Sequence, residues 1–255
     1  MKPSFHPWAG LFLVIWTATL GAQQNAPLAT APILNPGKQG AELAARLRAA
    51  VPEAADEFKG TLETIARDDS ITTVPIVSRI IPGSNQWTVS YLALDAQGRP
   101  TEELSIVHTP GGTNVYRWRA SGAGANAGAT SVPALNRAFA GSEFWVGDLG
   151  LDFLHWPGQR VLTNEMRHSR SCWVHESTTP APPPGGYGRV LAWIDVEHHG
   201  ILRADAFGPD GKLLKEFRLG EMRKIDGRWQ LESMKMRNRR TDTDSELRFD
   251  LPRKP

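Results

Sequence analysis

From Phe58 to Leu251 the chain alternates short runs rich in Val, Ile, Thr, Tyr, Phe and Trp with clusters of Gly, Pro, Asn, Asp and Ser, about ten residues apart. This spacing limits the fold more than any other feature. A parallel crossover needs roughly a dozen residues between strands, so runs this close must pair antiparallel. The first five, FKGTLETIA, TTVPIVSRII, QWTVSYLALD, EELSIVHT and NVYRWRA, are separated by RDDS, PGSN, AQGRP and PGG and read as a meander. Pro75 lies inside the second run and predicts an edge or a bulge there, because proline brings no N–H to the ladder. Strands resume with EMRHSRSCWVHEST. A hairpin series follows, in which RVLAWIDVE, ILRADAF, KLLKEFRL, RWQLESMKMRN and SELRFDL are linked by HHG, GPDG, KIDG and TDTD.

Side-chain phase adds detail to this β pattern. Trp229 and Leu231 share one face of their strand while Met234 and Met236 fall on the other, so parity slips near Glu232 and Ser233, and a bulge that bends the sheet is expected. In Arg189 to Glu197 both faces carry apolar groups: Val190, Ala192, Ile194 and Val196 on one, Leu191 and Trp193 on the other. That strand is expected to be covered on both sides.

Two regions depart from the pattern. AELAARLRAAV places Leu43, Leu47 and Val51 on one face of a short amphipathic helix. Between Ser121 and Trp156, SGAGANAGAT reads as a loop. SVPALNRAFAG and SEFWVGDLGLDFLHWP then predict two short helices laid against the sheet, since the segment is too apolar to face water and too broken by glycine for one long helix.

Residues 1–22, MKPSFHPWAGLFLVIWTATLGA, have the form of a secretory signal peptide cut near Ala22, with an apolar run too short for a membrane span. A soluble exported protein is the expectation, with a flexible linker over 23–40 and a single domain over 41–255. The lone cysteine, Cys172, excludes an internal disulfide, so stability must come from a core.

No motif demands catalysis. Without Lys2, which leaves with the leader, 28 basic side chains face 27 acidic ones, which argues against nucleic acid as a partner. Glu197, His198 and His199 are adjacent at a strand end, where neighbours point to opposite faces; zinc-binding pairs come from one face, so a turn is the reading. Cys172 and His175 also fall on opposite faces, which leaves a half-exposed structural histidine as the simpler reading and a hydrolase at His175 and Glu176 as the remote one. GAGANAG is one residue too long for a dinucleotide loop and precedes no βαβ unit. No metal site, cofactor or catalytic residue is expected.

The stretches GSEFWVGDL, RSCWVHESTTP, YGRVLAWID, ILRADAFGPDGKLLKEF and KIDGRWQLESMKMRN are together similar to the outer-membrane lipoprotein-sorting proteins of the LolA-like superfamily, over roughly Phe58 to Leu251. The resemblance implies a mainly β (α+β) fold: a strongly curved antiparallel sheet forming an incomplete barrel, with an N-terminal helix and a short helical insert covering its open side and an apolar cavity within. It also implies a carrier or binder of the acyl chains of lipoproteins or lipids, working as a monomer with inner- or outer-membrane transport components as further partners. Trp87, Val89, Trp118, Phe144, Leu149, Leu154 and Trp193 are the expected cavity lining. The alternative is a non-carrying envelope interaction or sensing module that fills the same interior with its own side chains.

Overall fold

A computed structural model of the chain describes residues 33–52, 54–121, 130–225 and 228–251, with only the backbone of Arg228 and Trp229. The expected leader over 1–22, the expected linker up to residue 32, the GAGANAG segment, and Asp226 and Gly227 lie outside the described residues. The alternation seen in the sequence becomes β1 (Asp56–Ile65), β2 (Ile71–Pro82), β3 (Trp87–Leu94), β4 (Pro100–His108) and β5 (Val115–Ala120). After the insert come β6 (Gly158–Arg167), β7 (Arg170–Thr178), β8 (Arg189–Asp195), β9 (Ile201–Phe207), β10 (Leu213–Leu219), β11 (Met222–Ile225), β12 (Arg228–Leu231), β13 (Ser233–Asn238) and β14 (Thr243–Phe249).

Twelve of these strands form one antiparallel sheet in the order β5-β4-β3-β2-β1-β14-β13-β10-β9-β8-β7-β6. Two meanders are therefore joined where β1 pairs with β14, as in Leu62 opposite Leu247. β5 and β6 remain as separate edges, so the barrel is incomplete. Register shifts between Val161 and Thr163, between Trp193 and Ile194, and between Leu213 and Lys215 add local bends, which is what bulges do to a sheet. The parity slip at Glu232 has a different cause from the expected bulge. β12 pairs with β11 in a separate two-stranded sheet and β13 pairs with β10 and β14, so the phase changes where the chain passes between sheets.

Several local expectations are met in modified form. β2 pairs with β3 only from Ile76 onward, so Pro75 sits where that side of the strand has no ladder. EMRHSRSCWVHEST spans parts of two strands, because His168 and Ser169 both adopt positive φ, 48° and 61°, and make a tight hairpin without glycine. Glu197, His198 and His199 form the turn from β8 to β9, with His199 at φ 59° and the Asp195 carboxylate accepting from the amides of Glu197 and His198. The predicted helix in SVPALNRAFAG is absent. Ser131 instead pairs with Trp118, and Arg137 and Leu135 carbonyls accept from the amides of Val146 and Gly147, which draws the segment into an irregular loop. The insert's helical turns are α2 (Val146–Leu149) and a 3₁₀ turn at Asp152–His155.

α1 (Pro36–Arg48) starts inside the stretch assigned to the linker, with Asn35 accepting from the Lys38 amide as N-cap and proline at the start of the helix. Leu43, Ala44 and Leu47 are buried against β6 and the 3₁₀ turn, while Val51 lies past the helix end and is 39% exposed. Gly40 allows this contact, since a Cβ there would lie 2.4 Å from the Arg160 backbone. The Gly40 carbonyl accepts from His175 Nε2 at 3.2 Å, and His175 is fully buried rather than half-exposed. Ser177 on the same face donates to Gln159, whose amide donates to the carbonyls of Phe153 and Trp156. α1, β6, β7 and the insert thus share one buried polar network. No helix among the described residues is long and apolar enough to cross a membrane.

Gly40→Ala should destabilise the fold by about 1–3 kcal/mol in urea unfolding, in spite of the usual advantage of alanine in a helix, because neither backbone can move aside without losing the contact. Burial also holds the imidazoles of His175 and His108 down at about 4. As pH falls from about 6.5 to about 4 the unfolded chain takes up a proton at each and the folded chain does not, so stability falls over that window. Asp148, raised to about 6 by burial, works in the opposite sense and offsets part of the loss. His175→Gln, which can still donate to the Gly40 carbonyl, should flatten the dependence of the urea midpoint on pH across the same range.

Candidate functional site

The concave face of the sheet carries the main core, and the insert is packed into it. Phe139, Phe144, Val146, Leu149 and Leu154 are each at most 4% exposed and meet inward-facing residues such as Leu62, Ile80, Val89, Leu104 and Met234. The insert is fixed to the N-terminal strands by the Glu102 carboxylate, which accepts from Trp118 Nε1 at 2.7 Å and from the Ala140 amide at 3.0 Å, with Arg137 stacked over the Trp118 ring. Asn114 donates to the Gly150 carbonyl and Tyr116 to Asp152. On the C-terminal side, Ser245 Oγ accepts from the Glu143 amide, and Asn238 donates to the Glu143 carboxylate at 2.8 Å.

A hollow of about 30 Å³ of water-centre space remains under the insert, lined by Leu151, Phe153, Val190, Ile201, Ala204, Ala206, Phe217 and Met236 together with Asp148, Tyr187 and Lys215. That is room for two or three waters at roughly 10–15 Å³ each. A second hollow of about 40 Å³ lies on the other side of Asp148, Phe153 and Tyr187, against Trp145, Trp156 and Pro183. The alanines matter here. Ala204 and Ala206 are small residues facing inward on β9, and a bulge at Leu202 sends that leucine to the outer face.

The polar groups at the hollow are unusual for their burial. Lys215 is 1% exposed, its Nζ lies 3.0 Å from Glu143 Oε2 and 4.0 Å from the centre of the Trp145 ring, and it donates to the Glu143 carbonyl. Burial pushes the ammonium pKa down, against the pull of Asp148 and Glu143. Asp148 accepts from the Trp145 amide at 2.8 Å and from Tyr187 OH at 3.3 Å; burial raises its carboxyl to about 6 although Lys215 lowers it. The Tyr187 ring stacks on Trp145, 4.6 Å between centroids. Among the described residues no group of His, Cys, Asp and Glu is placed to hold a metal. His175 is held by the Gly40 carbonyl and Glu176 points outward to Arg160 and Arg189, so they do not converge.

The residues expected to line a cavity fall into three groups. Phe144, Leu149 and Leu154 belong to the insert and occupy the interior themselves, and Val89 is the wall they meet. Trp87, stacked on His108 at 4.0 Å, and Trp118 lie in the N-terminal half of the sheet, away from the hollow. Trp193 faces the other way. It packs with Cys172, Val174 and Leu202 on the outer face and donates to Glu165, because alternation on β8 gives the interior to Val190, Ala192 and Ile194. Sequence reasoning missed Lys215, Asp148 and Tyr187. One signal was available for Lys215, which shares parity with Leu213, Phe217 and Leu219 and so breaks an apolar face. Asp148 and Tyr187 gave none, since a four-residue helix is too short to show a period and a loop has no phase.

A family model described only as "Uncharacterized protein" matches residues 129–253, the insert and the C-terminal half of the sheet. A search of curated proteins returned no match. Among solved structures, a DUF1329 family protein from Desulfovibrio piger superposes with a TM-score of 0.66 at 16% identity, covering 85% of this chain and 92% of that one. A candidate outer membrane lipoprotein-sorting protein domain from Vibrio parahaemolyticus gives 0.64 at 18%, covering 84% and 92%. A LolA superfamily protein from Nitrosomonas europaea gives 0.57 at 17%, covering 87% and 96%. At these identities the likeness is one of architecture, and it extends over nearly the whole of each chain. The curved twelve-stranded sheet, the N-terminal helix and the insert in its open side make this a LolA-like fold.

Proposed function

We propose that the chain is a periplasmic carrier or binder of the acyl chains of lipoproteins or lipids, loaded when the insert withdraws from the concave face. One observation carries this reading: among the described residues, the interior of the sheet is filled largely by one segment, 131–157, that joins the sheet by one β-bridge and otherwise by scattered hydrogen bonds and side-chain packing. Such a segment can leave without breaking the sheet.

The energies are comparable. A 16-carbon chain leaving water gains about 10 kcal/mol at ~0.8 kcal/mol per methylene. Phe139, Phe144, Val146, Leu149, Phe153 and Leu154 together represent roughly 9–18 kcal/mol of burial at about 1.5–3 kcal/mol each. An acyl chain that replaces part of the insert therefore exchanges one apolar contact for another of similar size, as reversible loading requires. The leader in the sequence and the likeness in fold to lipoprotein-sorting structures support the periplasmic setting.

The small volume of the hollow favours a second reading, an envelope interaction or sensing module whose interior stays filled. Retention of a fluorescent fatty acid by the purified protein separates the two. The carrier reading expects retention, and expects Ala204→Phe, which fills the hollow from the wall, to reduce it about tenfold or more while the circular dichroism spectrum is unchanged. Lack of retention by the parent protein, together with no lipid found by mass spectrometry of its organic extract, would leave the filled-interior module.

A further inference from the structure

We infer that the hollow selects single acyl chains with an anionic head, bound at Lys215 in exchange for Glu143. The inference rests on the reading of the interior as an acyl-chain site and adds the chemistry of the head group. Its ground is the ownership of the contacts around Lys215. The Glu143 carboxylate and carbonyl, the Trp145 ring and the neighbouring Asp148 all belong to the insert. What remains on the sheet beside Lys215 carries no charge: Ala206 opposite it on β9, Asn238 opposite it on β13, and Phe217, Val190 and Met236 around the hollow.

Withdrawal of the insert thus removes these partners from a buried ammonium together. A neutral lipid would enter past an uncompensated charge, which an apolar site disfavours strongly. An acyl chain ending in a carboxylate or phosphate brings its own counter-charge and restores the pair. The exchange also frees Asn238, whose Nδ2 donates to the same Glu143 Oε2 at 2.8 Å, and Thr241, whose Oγ1 lies 3.5 Å from Oε1. The strand geometry fixes the lysine rather than leaving it to swing out. The bulge between Leu213 and Lys215 sets it inward on β10, between Ala206 and Asn238 in the ladders on either side.

The test is calorimetric titration of the purified protein with dodecanoate and with dodecanol, which share a chain and differ in head charge. The acid should bind about tenfold or more tightly than the alcohol, the usual size of a charge-assisted hydrogen bond. Lys215→Met should close that gap by weakening the acid alone. Glu143→Gln removes the internal competitor and should widen the gap several-fold. Dodecyl phosphate, run alongside, tells which anionic head is preferred once the acid has bound more tightly than the alcohol. Equal binding of acid and alcohol by the parent protein overturns it while leaving the acyl-chain site standing, as does a gap that persists in Lys215→Met. Binding of none of the three compounds overturns the acyl-chain site and the inference with it. Should Lys215→Met fail to fold, Glu143→Gln decides alone, and an unchanged gap there counts as refutation.

Discussion

Apolar side chains on the inside of a curved sheet need a second surface to cover them, and a sheet whose edges do not meet cannot supply that surface itself. The rest of this structure follows from that constraint. β5 and β6 end apart, and the chain that runs from one to the other has to cross the opening. By crossing it, the insert becomes the covering surface, with Phe144, Leu149 and Leu154 turned in. α1 closes the remaining flank beside β6, where Gly40 lets two backbones touch.

The cover is attached differently from the wall. Within the sheet, neighbouring strands are held by continuous ladders of backbone hydrogen bonds, whereas the insert is held by the single Ser131–Trp118 bridge and by side chains at separate points: Glu102 and Asn114 on one side, Ser245 and Asn238 on the other. A ladder must be broken as a unit, but point contacts can be released and remade one by one. The Lys215–Glu143 pair is the most buried of these contacts, and it is the one whose loss leaves a charge in an apolar place. The same feature that locks the insert in place also defines what could take its position.

The sequence was readable wherever one residue's chemistry acts on its immediate neighbours. The five-strand meander, the hairpins at GPDG and TDTD, and the His198-His199 corner all come from alternation and turn residues. It was unreadable where an ordinary residue took an unusual conformation. His168 and Ser169 at positive φ turn a hairpin that carries no glycine signal, and SVPALNRAFAG has helix punctuation but gives up its backbone groups to Ser131–Trp118 pairing and to α2. Trp193 illustrates a third limit. Its parity opposite Val190 and Ile194 was plain, yet both faces were apolar and nothing local said which of them was inside.

By itself, then, the sequence determined most of the strands, their antiparallel sense and the presence of an apolar segment that could not face water, because periodicity and turn chemistry act over a few residues. Only the tertiary structure decided that β14 lies beside β1, that the apolar segment plugs the concave face, and that Lys215, Glu143, Asp148 and Tyr187 meet there. Those meetings join residues far apart in the chain. They depend on which surfaces fit when the whole sheet has curved, and no local pattern encodes that fit.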